Sequence, residues 1–226
     1  MKFNAKLLSV ASVVLLFSSP VFSTENSMKG IVAHSEHRMQ QALKSGKKCK
    51  GAKHEYAVAS QKMHHAMMIA YSGDADIDFV RGMIPHHQGA IDMANIELKY
   101  GKDEVLKDLA KRIILAQEEE IGFMQNWLRG RFSSYRSSDA DIVVSTIEYK
   151  KTMEDMHKNM SIKYTGNADV DFATGMIPHH QGAIDMAWVA KKEGAAPELR
   201  EMLDAVITSQ GQEIELMKDW LSNNKK

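Results

Sequence analysis

The string GMIPHHQGAIDMA occurs twice in this chain, at residues 82–94 and 175–187, with all thirteen positions identical. The 93-residue offset holds well outside the string. Tyr56 pairs with Tyr149, Met63 and His64 with Met156 and His157, and Met67 with Met160. Asp78 and Phe79 pair with Asp171 and Phe172. Further on, Gln117, Glu120, Met124 and Trp127 pair with Gln210, Glu213, Met217 and Trp220. No gap is needed anywhere. Self-similarity at a fixed period marks a repeated structural unit, and a gap-free period means that loops keep their lengths as well as helices. A chain of 226 residues has room for two such units in tandem.

Each unit reads as three helices, because strand signals are nearly absent and apolar residues recur at helical spacing. The spacing predicts helices over roughly 53–71, 76–99 and 102–129 in the first unit, and over about 140–164, 169–193 and 197–223 in the second. SGDAD separates the first two helices and offers an Asp N-cap. YGKDE separates the second and third, with Gly101 as a natural stop. Pro197 suits the first turn of the last helix. Pro85 marks either a kink in the second helix or its start near Ile84. An extra helix over about 27–45 would close the first three into a four-helix bundle. The organisation that follows is a leader at 1–23, an N-terminal segment at 24–52, one repeat unit at 53–129, a linker at 130–139 and a second unit at 140–226.

At about 100° per residue, one arc of about 120° on the second helix holds Phe79, Met83, His86, His87, Ala90, Met93 and Ala94. Gln88 and Asp92 point the other way. Both histidines thus face the core, which is costly. A buried imidazole needs partners for both nitrogens, and its charged form is expensive. A metal ion satisfies one nitrogen, and an acceptor behind the ring satisfies the other. The third helix offers such acceptors, since Gln117 and Glu120 share its apolar face with Met124. Gln210 and Glu213 are their equivalents. The first helix adds Met63, His64 and Met67 on one arc, alongside Tyr56 and Tyr71. A short loop makes the first two helices antiparallel, so the Met and His clusters converge at one end of the unit, where Met124 also arrives.

The chain carries 16 Met and 10 His with only 7% aromatic residues. Thioether sulfur binds Cu(I) and Ag(I) well and Zn(II), Mg(II) or Ca(II) poorly. Two or three Met with one or two His therefore select Cu(I) or Ag(I). Cu(II) prefers a set richer in histidine and carboxylate, which His34, His37 and His54 offer nearer the N-terminus. Plainer readings compete. A Met stripe at helical spacing also suits a core, and Met93, Met124, Met186 and Met217 fit that as well as ligation. His86 and His87 also fit as core histidines paired with Glu120, and Glu120 fits as hydrogen-bond partner or as ligand. Asp78 and Asp171 read as residues that favour a helix N-terminus.

Other classes are poorly served. A di-iron bundle needs two Glu and two Glu-x-x-His pairs. Only Glu154 and His157 have that spacing, and Gln61 stands where the first unit would need its Glu. There is no HExxH, phosphate loop or GxSxG, so the chain is expected not to be an enzyme. Lys plus Arg equals Asp plus Glu, 29 each, which gives no reason to expect a nucleic-acid partner. Lys2, Lys6, the apolar run at 7–17 and VFS ending at Ser23 read as a secretory leader too short to span a membrane. With no later apolar stretch, the mature chain is expected to be periplasmic or secreted, without a membrane span. Cys49 cannot make an internal disulfide alone, and reads as a free thiol in a basic linker, with an auxiliary metal ligand or an intermolecular bridge as the alternatives.

The stretch DFVRGMIPHHQGAIDMA with EEEIGFMQNWL, and DFATGMIPHHQGAIDMA with QEIELMKDWL, resemble the domain-of-unknown-function family 305. The resemblance covers residues 53–223 as two copies. It implies an all-α, ferritin-like helical bundle. Its best-known two-copy members look like periplasmic copper-binding proteins tied to copper and silver resistance. Carried onto this chain, the matching positions are Met63, His64, Met67, Met83, His86, His87, Met93 and Met124. In the second copy they are Met156, His157, Met160, Met176, His179, His180, Met186 and Met217. The reading that follows is an exported protein that sequesters or delivers Cu(I) or Ag(I), working with a copper efflux or delivery protein. A cuprous oxidase or a metal-free envelope bundle are the alternatives.

Overall fold

Six helices make up the part of the chain that the computed structural model describes, namely residues 51–131, 141–193 and 195–224, with side chains of the fourth helix from residue 145 onward. They are α1 (Ala52–Ala66), α2 (Ala75–Tyr100), α3 (Glu104–Arg131), α4 (Asp141–Asn159), α5 (Ala168–Lys192) and α6 (Pro197–Asn224). No strand occurs among the described residues. The leader, the extra N-terminal helix, His34, His37, Cys49 and most of the linker lie outside them.

Local chemistry sets the helix ends. Asp74 caps α2, its carboxylate accepting from the N–H groups of Asp76 and Ile77 at 2.9 Å each, which satisfies two of the first-turn donors. Asn167 holds the same backbone position before α5 without a side-chain cap bond. Both α2 and α5 continue through their prolines, Pro85 and Pro178, so the helix does not begin at Ile84. Pro197 opens α6. Gly101 follows α2 with φ of −66°, an ordinary value. Glycine is needed there because a Cβ would run into the Glu97 carboxyl.

The first helix of each half stops earlier than its apolar pattern predicts, at Ala66 and Asn159 instead of near 71 and 164. The cause lies in the next helix. The Asp78 carboxylate accepts from Ser72 N at 2.6 Å, Ser72 Oγ at 2.8 Å and Gly73 N at 2.9 Å. Asp171 does the same for Thr165 N, Thr165 Oγ1 and Gly166 N at 2.6, 2.8 and 2.7 Å. Bonds to a carboxylate are stronger than neutral ones, so they outcompete one more helical turn. Gly73 and Gly166 supply the left-handed turn, with φ of 86° and 98°. Asp78 and Asp171 do sit in first turns, but what they hold is the preceding loop.

The centre of the bundle is α2 packed on α5, with α1 and α3 against α2 and with α4 and α6 against α5. The Cε of Met186 lies over Gly82, and that of Met93 over Gly175, so α2 and α5 run antiparallel. A Cβ on either glycine would come within 2.9 Å of the methyl, which is why the repeated string has glycine there. The two halves brace each other at the ends. Tyr149 Oη donates to the Ala75 carbonyl at 2.9 Å, and Tyr56 Oη to the Ala168 carbonyl at 3.4 Å. Tyr56 also stacks on Tyr164, with ring centroids 5.6 Å apart. Asp169 Oδ1 accepts from Lys102 N and Asp103 N at 2.8 Å, and Asp76 Oδ2 from Ala196 N at 2.9 Å. Phe79, Met83, Met124, Phe172, Met176 and Met217 are fully buried, each worth about 1.5–3 kcal/mol in transfer terms.

Candidate metal centre

Four imidazoles form a row through the middle of the bundle. Ring centroids are 6.2 Å apart for His87 and His86, 3.8 Å for His86 and His179, and 6.0 Å for His179 and His180. All four residues are 0% exposed. The helical faces read from the sequence place them there. His86 and His87 are consecutive on α2, about 100° apart on its surface. One therefore faces α5 while the other faces α3.

The partners of these rings fix where their protons sit. His87 Nε2 lies 2.6 Å from Glu120 Oε2, and His180 Nε2 lies 2.7 Å from Glu213 Oε2. An ionised carboxylate only accepts, so Nε2 donates, and a neutral ring then carries a bare lone pair on Nδ1. His179 Nε2 donates to the backbone carbonyl of His86 at 3.1 Å, with the same result. Among the described residues, Nδ1 of His86, His87, His179 and His180 has no hydrogen-bond partner. Burial holds the His86 and His179 rings well below the usual histidine pKa, with neighbouring histidines adding to the effect. The His86 and His179 rings are therefore neutral donors.

An unpaired buried polar group costs about 1–3 kcal/mol, and this core gathers several within one row. Such lone pairs are what a metal ion takes. The consecutive pairs, His86 with His87 and His179 with His180, would hold such an ion, their ring centroids lying 6.2 and 6.0 Å apart. Glu120 and Glu213 then sit behind the outer rings, orienting them and raising their basicity. Gln117 and Gln210 face inward as read from the sequence, but their Oε1 atoms have no partner and no bond to a histidine is found among the described residues. Among the described residues no three His, Cys, Asp or Glu side chains converge to hold an ion, so a third donor at either pair would be a thioether.

The methionines divide into three groups. The His87–Glu120 bond sets the register of α2 on α3. Met124, one turn past Glu120, is thus level with Met83, one turn before His87, and both are fully buried. Met217 and Met176 are related in the same way, and Met67 and Met160 are buried just past the ends of α1 and α4. Met63 and Met156 form a second group, fitted over Gly89 and Gly182, where a Cβ would lie 2.6 and 2.7 Å from their sulfurs. Met93 and Met186 share the buried arc of their helices, as the periodicity implies, yet they reach across to glycines of the opposite helix. Each stands seven residues, about 10 Å, along the axis from the first histidine of its own string, while its methyl lies over the glycine four residues before the first histidine of the other string.

His64 and His157 meet separately, with ring centroids 4.3 Å apart. His64 is pushed down to about 3 by burial and by the neighbouring His157 ring, and burial also lowers His157. His54 is exposed on the first turn of α1. Two residues that the sequence reading passed over, His65 and Met68, are exposed beside His64 and Met67. The doublets in MHHAMM were the available signal.

Fold and centre together define a helical bundle with a core of histidine and methionine donors. The chain belongs to the family described as Domain of unknown function (DUF305), which matches residues 76–221. Among solved structures, it is similar to CopM in the Ag-bound form, at 35% identity and a TM-score of 0.51, covering 67% of this chain and 97% of that one. It is likewise similar to CopM in the Cu(I)-bound form, at 34% identity and a TM-score of 0.50, covering 66% of this chain and 96% of that one. The Cu(II)-bound form gives the same identity and TM-score. A curated relative, Uncharacterized protein L153 of Acanthamoeba polyphaga mimivirus, is 41% identical over 56 residues. That match spans 25% of this chain and 37% of the relative's length.

Proposed function

We propose that the protein binds Cu(I) and Ag(I) at two consecutive histidine pairs, His86 with His87 and His179 with His180. Met67, Met83 and Met124 lie around the first pair, and Met160, Met176 and Met217 around the second. The observation that carries this reading is the set of bare, buried Nδ1 lone pairs, three of them on rings whose Nε2 is committed to an acceptor. Neutral imidazole and thioether donors match a soft monovalent ion. The similarity to CopM solved with Ag, Cu(I) and Cu(II) supports a copper-related role. The role is sequestration or delivery without catalysis, giving tolerance to the metal and passing it to an efflux or delivery protein. The basic, then apolar, N-terminal residues support export, and no described helix is long and apolar enough to cross a membrane.

Anaerobic Cu(I) titration of residues 24–226 against a competing chelator tests this. Two tightly bound equivalents are expected, lost when His86, His87, His179 and His180 are all replaced by Ala. Binding that is absent, or unchanged in the variant, would overturn the assignment.

A further inference from the structure

Every described methionine except one is buried, and the most open of the buried ones, Met202, is 8% exposed. Met68 is the exception, at 42%. Its neighbour Met67 is 1% exposed, so two adjacent methionines differ sharply in access. The backbone produces the contrast. α1 closes at Ala66, Met68 N bonds back to the His65 carbonyl at 3.2 Å, and Ile69 N bonds to the Met67 carbonyl at 2.8 Å. The second half closes α4 with the same pair of bonds, Ser161 N to the Lys158 carbonyl at 3.2 Å and Ile162 N to the Met160 carbonyl at 2.8 Å. Serine thus serves the same turn that Met68 occupies in the first half. Neither the turn nor the core requires a thioether at position 68, and the side chain is left open to reagents in solution.

We propose that Met68 is a methionine-oxidation site, taken to the sulfoxide by hydrogen peroxide or a related two-electron oxidant while the buried methionines stay reduced. A sulfur lone pair attacks one peroxide oxygen. The S–O bond forms as the O–O bond breaks, and the proton on the transferred oxygen passes to the departing hydroxide, which leaves as water. Sulfur loses two electrons and the peroxide gains them. The product is polar and is returned to the thioether by methionine sulfoxide reductases. At position 68 it stays hydrated, whereas in the core it would carry the cost of an unpaired buried polar group. Position also decides what happens to the soft donors. A sulfoxide oxygen is a hard ligand, so oxidation of Met67, Met83 or Met124 would remove a soft donor, and oxidation of Met68 spares all three. The modification does not depend on whether the inner histidine pairs hold an ion.

The test treats the metal-free full chain with hydrogen peroxide, quenches at intervals and maps each methionine by tandem mass spectrometry. Met68→Leu and a guanidinium-unfolded sample are run beside the folded wild type. In the folded wild type, Met68 is expected to oxidise about tenfold or more faster than any buried methionine, since susceptibility follows exposure. Unfolding is expected to bring the buried methionines up to the Met68 rate. In folded Met68→Leu, the buried methionines are expected to keep their slow rates. Met68 that oxidises no faster than Met67 overturns the proposal. A fast phase at any buried methionine in the folded variant overturns it as well. So does loss of the fold, read by far-UV circular dichroism, once Met68 alone is oxidised.

Discussion

His179 donates its Nε2 proton to the backbone carbonyl of His86, 3.1 Å away, and the His86 ring lies against the His179 backbone in turn. The bond holds the His179 ring with Nδ1 bare. Nitrogen-15 spectra of the metal-free protein are expected to show His87, His179 and His180 as Nε2–H tautomers. An Nδ1–H tautomer at any of them would sink the account of the donor set.

Removing the acceptor behind an outer ring should weaken the site without unfolding it. Glu120→Ala is expected to lower Cu(I) affinity about 10–100-fold at one of the two tight sites, as losses of such orienting partners do. Glu213→Ala should do the same at the other. Chelator competition reads this directly. An equal loss at both sites from one substitution would mean that the pairs are not separate sites.

One glycine of the repeated string and one outside it make a paired prediction. Gly89→Ala places a Cβ 2.6 Å from the Met63 sulfur and is expected to destabilise the fold by about 1–3 kcal/mol through overpacking. Gly122→Ala, also within a helix but with nothing within 4 Å, should stabilise by about 0.5–1 kcal/mol from helix propensity. Urea midpoints of the two variants should move in opposite directions. A shift of the same sign would remove close packing as the reason for glycine at position 89.

Much of this was legible in the sequence, and what was not has a common cause. Periodicity shows which face of a helix is buried, so Met83, His86, His87, Glu120 and Met124 could be turned inward correctly. It does not name the helix across the interface, so the meeting of His86 with His179 and the reach of Met93 to Gly175 were hidden. The early end of α1 was also hidden, because Met67 to Tyr71 continue the apolar pattern and what stops the helix is the Asp78 carboxylate on the next element. Gly101 was a readable stop, but the reason for glycine is the Glu97 carboxyl, which no local rule contains.

Glu97 makes the fold pH-dependent. Burial raises its carboxyl to about 8, with Asp169 hydrogen-bonded beside it adding to the effect. Tyr56 Oη lies 3.3 Å from its Oε2. Between the ordinary 4.5 and about 8, the folded chain holds a proton that the unfolded chain has released. The stability from that proton is complete below the lower value and lost as pH rises through the upper one. Urea midpoints should fall from about pH 5 to about pH 9, and Glu97→Gln, which cannot titrate, should flatten that slope. An unchanged slope in Glu97→Gln would assign the dependence to other groups.

The braces between halves have a consequence for concentration. A chain with one copy of the string would leave the face of α2 bare. It could complete the row of rings only by meeting another such chain, and would lose it on dilution. Here the stretch from α3 to α4 keeps α5 at a high effective concentration beside α2. The four imidazoles therefore stay together however scarce the protein is, a property suited to catching a trace ion.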